Sequence, residues 1–174
     1  DAAVAAELAP LKLDRAIFRT VLAAVDPGPE GAESVSFEVA TNPGAPSGPL
    51  NRIASGGELS RFLLALKLCL RARGQVLIFD EIDRGVGGAT ADAVGRRLAR
   101  LAEGGQVLVV THSPQVAARA AHHFRVAKQS AGQTTLSRVM RLSADQRTDE
   151  IARMLAGDTI TPAARAAAQA LIEG

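Results

Sequence analysis

Asp80 and Glu81 are adjacent carboxylates at the end of the apolar run Val76-Leu77-Ile78-Phe79. Four residues of this type predict a strand buried on both faces, as in a parallel sheet covered by helices. Such a strand cannot bury two charges, so both carboxylates must emerge at its carboxyl end. In open α/β sheets ligands bind at that end. An Asp there commonly holds Mg²⁺ against a nucleotide phosphate, and a neighbouring Glu can orient a water. An ordinary acidic loop after a core strand would use the same two residues, so the neighbouring segments decide between them.

Two further segments carry candidate chemistry. Ser55-Gly56-Gly57-Glu58 precedes Leu59 to Leu70, a stretch without Gly or Pro that is apolar almost all round and predicts a buried helix. The start of that helix offers a capping serine, two glycines that permit close backbone approach, and unpaired amides at the positive end of the helix dipole, which together suit an anion. It also reads as a plain capping box in which Ser55 and Glu58 satisfy each other's amides. The second segment is Thr111-His112-Ser113-Pro114, which follows another apolar strand, Val107 to Val110. Between the two strands lie the glycine-rich loop Ile82 to Gly88 and a helix from about Ala89 to Glu103, with an apolar stripe of Val94, Leu98, Leu101 and Ala102. Two such strands joined by one helix form a right-handed βαβ unit. The strands are then parallel, and His112 and Asp80 share one sheet edge.

The remaining segments must position this edge. Val4 to Leu13 reads as a helix end broken by Pro10. Ile17 to Val25 and Ser34 to Val39 read as an antiparallel strand pair around the turn Asp26 to Gly31. Thr41 to Pro49 reads as a loop. After His112 the pattern predicts a helix over Gln115 to Ala121, closing strands over Phe124 to Lys128 and Thr134 to Arg141, and helices over Thr148 to Ala156 and Pro162 to Ile172. His122-His123 lacks the further ligands of a metal site.

Composition sets the class. The 174 residues suffice for one domain with a real core, and 47% hydrophobic with 22% charged residues is ordinary for a globular protein. The net charge is +2, a weak hint of an anionic partner. Trp and Tyr are absent, which disfavours base-stacking platforms. The single Cys69 reads as buried filler and fits a reducing cytosol. No apolar stretch approaches the roughly 20 residues that cross a bilayer, and no secretory signal precedes the first structured segment, so a membrane partner is not expected. The sets Arg71 and Arg73, Arg96, Arg97 and Arg100, and Arg138 with Arg141 are candidate phosphate contacts that equally suit solvated faces.

The order Ser-Gly-Gly-Glu, strand with Asp-Glu, glycine loop, strand with Thr-His resembles the carboxyl half of an ABC-type ATPase. Within that superfamily, Asn51-Arg52-Ile53-Ala54-Ser55-Gly56-Gly57-Glu58-Leu59-Ser60-Arg61, Ile78-Phe79-Asp80-Glu81-Ile82-Asp83 and Thr111-His112-Ser113-Pro114-Gln115-Val116-Ala117 resemble the RecN family of bacterial SMC-like DNA repair ATPases. Ser36 to Gly44 and Glu150 to Gly157 also look like that family. Ala54, Asp83-Arg84-Gly85 and Glu58 depart from the transporter pattern in the direction of the SMC group.

The resemblance implies an α/β fold, the carboxyl half of an ABC/SMC-type P-loop NTPase head. A largely parallel sheet would carry flanking helices and an amino-terminal antiparallel strand pair. It implies that Ser55, Gly56, Gly57 and Glu58 form the signature motif that closes over ATP held by a second head, as in a homodimer. Asp80 would be the Walker B carboxylate that holds Mg²⁺, and Glu81 would polarise the attacking water. His112 would be the switch histidine, and Asp83 and Gly85 would lie in the D-loop where heads meet. The chain has no Gly-Lys pair, since Lys12, Lys67 and Lys128 follow Leu, Leu and Ala, so it has no G-x-x-x-x-G-K-[ST] phosphate loop. Residues 1–13 are then expected to be a stub of the returning coiled coil and 14–174 the carboxyl lobe of the head. The lobe carrying the phosphate loop would be elsewhere in the same protein. The resemblance further implies a cytoplasmic, nucleoid-associated bacterial protein that acts on DNA, at ends or single-stranded regions, through its full length. A different SMC-type repair head, or a nucleotide-gated clamp, is the competing expectation.

Overall fold

Pro10 cannot extend a helical hydrogen-bond ladder, and helix α1 (Ala2–Leu8) gives way to a 3-10 turn over Ala9–Leu11. In this computed structural model, which describes residues 1–53, 56–70, 74–131 and 134–174, Val4, Leu8, Leu11 and Leu13 are buried in the main core. That core forms where α1 packs on helix α3 (Gly56–Leu70).

Strands β1 (Ile17–Gly28) and β2 (Gly31–Ala40) pair antiparallel, with Phe18 opposite Val39, Thr20 opposite Phe37 and Leu22 opposite Val35. The hairpin outruns its expected bounds because pairing resumes at Gly28 and Gly31 after a register shift beyond Ala24. Phe18 and Phe37, 5.6 Å apart between ring centroids, anchor its base. The expected loop from Thr41 includes β3 (Gly48–Pro49), which adds to β2 and leads into the single turn α2 (Leu50–Ile53).

The βαβ unit forms as expected. Strand β4 (Val76–Asp80) pairs parallel with β5 (Gln106–Val110), and helix α4 (Gly88–Ala102) runs between them. Burial on both faces is not found. Leu77, Phe79, Val107 and Val109 pack on the core, whereas Ile78 is 71% exposed, and Val76, Leu108 and Val110 are also exposed. The chain's helices cover one face of this pair and leave the other bare. Among the described residues these two strands make the parallel sheet of a mixed α/β fold, and the other strands pair antiparallel. Strands β6 (Phe124–Ala131) and β7 (Thr134–Arg141) pair with each other and do not close the parallel sheet.

Helix α3 also departs from all-round burial: Phe62, Leu64, Ala65 and Leu66 are buried, while Leu63 and Leu70 face outward. Cys69 is half-buried and packs against the main core; burial pushes its thiol pKa up, and Glu7 adds to the rise. Helix α5 (Pro114–Ala117) is shorter than expected. Helix α6 (Ala144–Ala156) starts a turn early because Ser143 and Gln146 form a capping box. Helix α7 (Pro162–Glu173) starts under a Thr161 cap. Ala117, Ala118, Ile151, Ala152, Ala164 and Ala168 make a second small core.

Ion pairs fasten the periphery and occupy several arginines considered as phosphate contacts. Glu7 receives Arg97 at 2.9 Å and Arg100 at 3.0 Å, and Asp92 receives Arg119 at 2.6 Å and Arg96 at 2.9 Å. Burial alone would raise the Asp92 carboxyl pKa, but the hydrogen bonds from Arg96 and Arg119 hold it below its ordinary value. Arg71 and Arg73 lie outside the described residues.

The one-sided burial of β4 and β5 makes a stability prediction. Ile78→Thr is expected to change the unfolding free energy by less than about 0.5 kcal/mol, whereas Phe62→Ala costs about 3–5 kcal/mol. Urea unfolding of the two variants checks this, and a large loss for Ile78→Thr would contradict a bare face.

Candidate functional site

The two parallel strands end side by side, with Asp80 opposite Val110. The next amide, Glu81 N–H, donates to the Val110 carbonyl at 3.0 Å. The chain then turns sharply: Arg84 N–H donates to Glu81 O at 2.9 Å, Val86 N–H to Asp83 O at 3.1 Å, and Gly85 takes φ +74°. Glu81 itself sits at φ +51°. A side-chain-bearing residue in that left-handed region costs about 1 kcal/mol. The left-handed residue turns the chain away from the strand direction immediately after Asp80. Asp80, Glu81 and His112 are all exposed. The Arg84 guanidinium lies 3.9 Å from Glu81, but both side chains are largely solvated, so this pair contributes little.

Asp83 has the opposite environment. It is 1% exposed, and its Oδ2 accepts the Thr111 hydroxyl at 2.5 Å. Thr111 Oγ1 in turn accepts the Ser113 amide at 2.9 Å, and Ser113 caps α5. The Asp83 Oδ1 atom has no hydrogen-bond partner among the described residues. The segment bearing His112 is thus tied to the turn bearing Glu81.

The glycine pair at the start of α3 reaches the same turn. A Cβ on Gly57 would lie 3.0 Å from the Arg84 carbonyl oxygen, so a residue without a side chain allows this approach. Gly56 opens the helix and is exposed, and Glu58 is half-buried in its first turn. Ser55 lies outside the described residues. One turn on, burial lowers the Arg61 pKa while Glu58 raises it, and Arg61 Nε is buried without a partner among the described residues.

The structure therefore gathers Asp80, Glu81, Asp83, Gly85 and His112 at one end of the parallel pair and brings Gly57 against the intervening turn. The expectation from sequence named Thr111 within its motif but gave it no role, although its hydroxyl links two segments 28 positions apart, and it did not foresee the backbone strain at Glu81. Asp80 with Glu81 fits Mg²⁺, which typically takes one or two carboxylates and fills its remaining positions with phosphate oxygens and water. Both carboxylates are exposed for that purpose. Among the described residues no cluster of three or more His, Cys, Asp or Glu could hold a metal without such outside ligands.

No protein-family model matches the chain. Its curated relatives include the DNA repair protein RecN of Rickettsia conorii, 44% identical over 168 residues, which are 95% of this chain and 31% of that protein. RecN of Deinococcus radiodurans is 50% identical over 79% of this chain and 24% of the relative, and RecN of Xylella fastidiosa is 49% identical over 84% and 27%. The chain thus spans between about a quarter and a third of the relatives it matches. Among solved structures, an Smc head domain with a coiled coil and joint from Pyrococcus yayanosii aligns with a TM-score of 0.63 at 22% identity, covering 86% of this chain and 28% of the other. An Smc head bound to the C-terminal winged-helix domain of ScpA aligns at 0.60 and 21% identity, over 83% and 42%. The chain shares its fold with part of an SMC head domain.

The strain at Glu81 predicts an inverted stability ranking. Glu81→Gly is expected to be at least as stable as wild type, with a gain of up to about 1 kcal/mol. Glu81→Val is expected to be the least stable, because a β-branched side chain tolerates the left-handed region worst. Thermal unfolding of both variants reads the order, and a destabilised Glu81→Gly would contradict the assigned backbone.

Proposed function

We propose a function from the premise that this chain belongs, over the segment it shares with its relatives, to the RecN family. It is the carboxyl lobe of an ATPase head in a DNA repair protein. The observation that carries this reading is the exposed set Asp80, Glu81 and His112 at the carboxyl end of a parallel strand pair whose outer face is apolar and uncovered.

The uncovered face explains why the chain can be a lobe. Parallel strands are stable when both faces are packed, and the sequence has no phosphate loop. A second lobe of the same protein supplies that loop and covers Val76, Ile78, Leu108 and Val110. Residues 1–13 are the stub of the coiled coil that joins the two lobes, and 14–174 are the carboxyl lobe.

The reaction is ATP + H₂O → ADP + phosphate. Asp80 holds Mg²⁺ from the protein side; when bound, the ion neutralises charge on the phosphates. Glu81 hydrogen-bonds the attacking water and takes its proton as the bond to the γ-phosphorus forms, while the leaving oxygen departs with ADP. His112 contacts the γ-phosphate as donor. Ser55, Gly56, Gly57 and Glu58 present amides and a helix start to the nucleotide of a second head, and Asp83 and Gly85 shape the turn near which heads meet. The active unit is then a homodimer of completed heads. A solved structure aligned at TM-score 0.57 and 19% identity, over 88% of this chain and 92% of its own length, concerns ATP-driven dimerization and DNA-stimulated activation of SMC ATPases. ATP-driven dimerization in that protein supports the same kind of assembly here.

DNA double-strand break repair, with binding at ends or single-stranded regions, is assigned to the complete protein, in the bacterial cytoplasm at the nucleoid. Arg96, Arg97 and Arg100 are engaged by carboxylates, which leaves this lobe few free phosphate contacts on that helix. No helix among the described residues is long and apolar enough to cross a membrane.

The reading is tested by Glu81→Gln in the complete protein. Steady-state ATP hydrolysis is expected to fall at least about 100-fold with ATP affinity within about 3-fold of wild type. Equal hydrolysis by both proteins would make the carboxylate edge structural and favour a nucleotide-gated clamp.

A further inference from the structure

We propose that Asp83 and Thr111 form a positioning pair that holds the water-polarising Glu81 and the phosphate-contacting His112 in one fixed arrangement. The pair touches neither water nor phosphate. The inference rests on the ATPase reading above and adds two residues whose part in the reaction is to orient others.

Two anchors join the segments that carry the reacting groups. The first is the backbone bond from Glu81 N–H to Val110 O at 3.0 Å. The second is the Thr111 hydroxyl on Asp83 Oδ2 at 2.5 Å. Glu81 sits at the first anchor, and His112 immediately follows the second. Regular strand pairing ends at Asp80 and Val110, so beyond the first anchor the relative placement of the two segments depends on side chains. Thr111 is suited to this task because its hydroxyl serves both directions. It donates to Asp83 and accepts the Ser113 amide at 2.9 Å, which fixes the backbone on either side of His112.

Stability alone does not account for the pair. Asp83 is 1% exposed and has one oxygen without a partner among the described residues. A carboxylate buried in this way carries a desolvation penalty that one hydrogen bond does not fully offset. The bond instead restrains the turn that carries the strained Glu81 two residues before Asp83. A rotation of the Thr111 side chain would free the His112 segment from the Glu81 turn, and the two reacting groups would then move independently. Misplacement on the order of 1 Å is enough to cost about 100-fold in rate.

The test uses the complete protein and measures kcat and KM for ATP. Thr111→Val keeps the side-chain shape and removes the donor. It is expected to lower kcat about 10–100-fold while KM for ATP stays within about 3-fold. Thr111→Ser restores the hydroxyl and is expected to return kcat to within about 3-fold of wild type. Asp83→Asn removes the charged acceptor of the Thr111 hydroxyl and provides a second entry to the same bond if Thr111→Val folds poorly; its kcat also falls. The double variant Thr111→Val with Asp83→Asn is expected to be no slower than the slower single variant, since both remove one interaction. A merely structural role would lower the amount of folded, ATP-binding protein without this rescue pattern. If wild type hydrolyses ATP and both Thr111→Val and Asp83→Asn match its kcat, or if Thr111→Ser fails to restore kcat, the pair is overturned and the ATPase reading survives. If wild type itself does not hydrolyse ATP, the ATPase reading fails and the pair fails with it.

Discussion

The parallel register of β4 and β5 fixes every other feature of the candidate site. It is set where the strands begin. A Cβ on Gly105 would lie 2.4 Å from the Gln75 carbonyl oxygen, a distance no side chain can occupy, so glycine lets the two strand starts close on each other. Gln106 N–H then bonds Gln75 O at 3.1 Å and Gly74 N–H bonds Gly104 O at 2.8 Å. Both strands run five residues from that clamp, and they end together with Asp80 opposite Val110. A slip of one residue would exchange the packed and bare faces and would separate the Glu81 turn from Thr111 and His112.

Chemistry and folding are split differently in this chain. The proposed reacting groups are arranged by contacts internal to it: the turn after Glu81, the link from Thr111 to Asp83, and the approach of Gly57 to Arg84. The packing that a parallel pair requires is only half present, since Ile78, Val76, Leu108 and Val110 are exposed. A contiguous exposed apolar patch marks an interaction surface, and here it lies beside the carboxylates. Assembly of a second lobe on that face would therefore complete the core and the site in one step. Under the proposed function, activity would then be conditional on assembly.

Much of this was readable from residue pattern. Val76 to Phe79 followed by two carboxylates located the strand end, and the second apolar strand before His112 required a parallel partner and a shared edge. The same pattern misled about burial, because a continuous apolar run reports the surroundings a strand has in its finished sheet, not those one segment supplies. The strain at Glu81 was illegible, since glutamate has no preference for the left-handed region and the cause is the turn closed by Arg84 and Gly85. The bond from Thr111 to Asp83 joins positions 28 apart in sequence, and no local periodicity encodes it. Ser143 and Gln146, by contrast, spelled out a capping box three residues apart, so the early start of α6 was available in the sequence. Ser55, the cap expected for α3, lies outside the described residues.

The claim at the centre of this account is that the chain holds half of a nucleotide site. Equilibrium binding of ATP with Mg²⁺ to the isolated chain, by titration calorimetry, tests it directly. The account predicts no stoichiometric binding at micromolar nucleotide, and binding that appears when a lobe carrying the phosphate loop is added. Tight one-to-one binding by the chain alone would contradict it, because the missing phosphate loop would then not be needed.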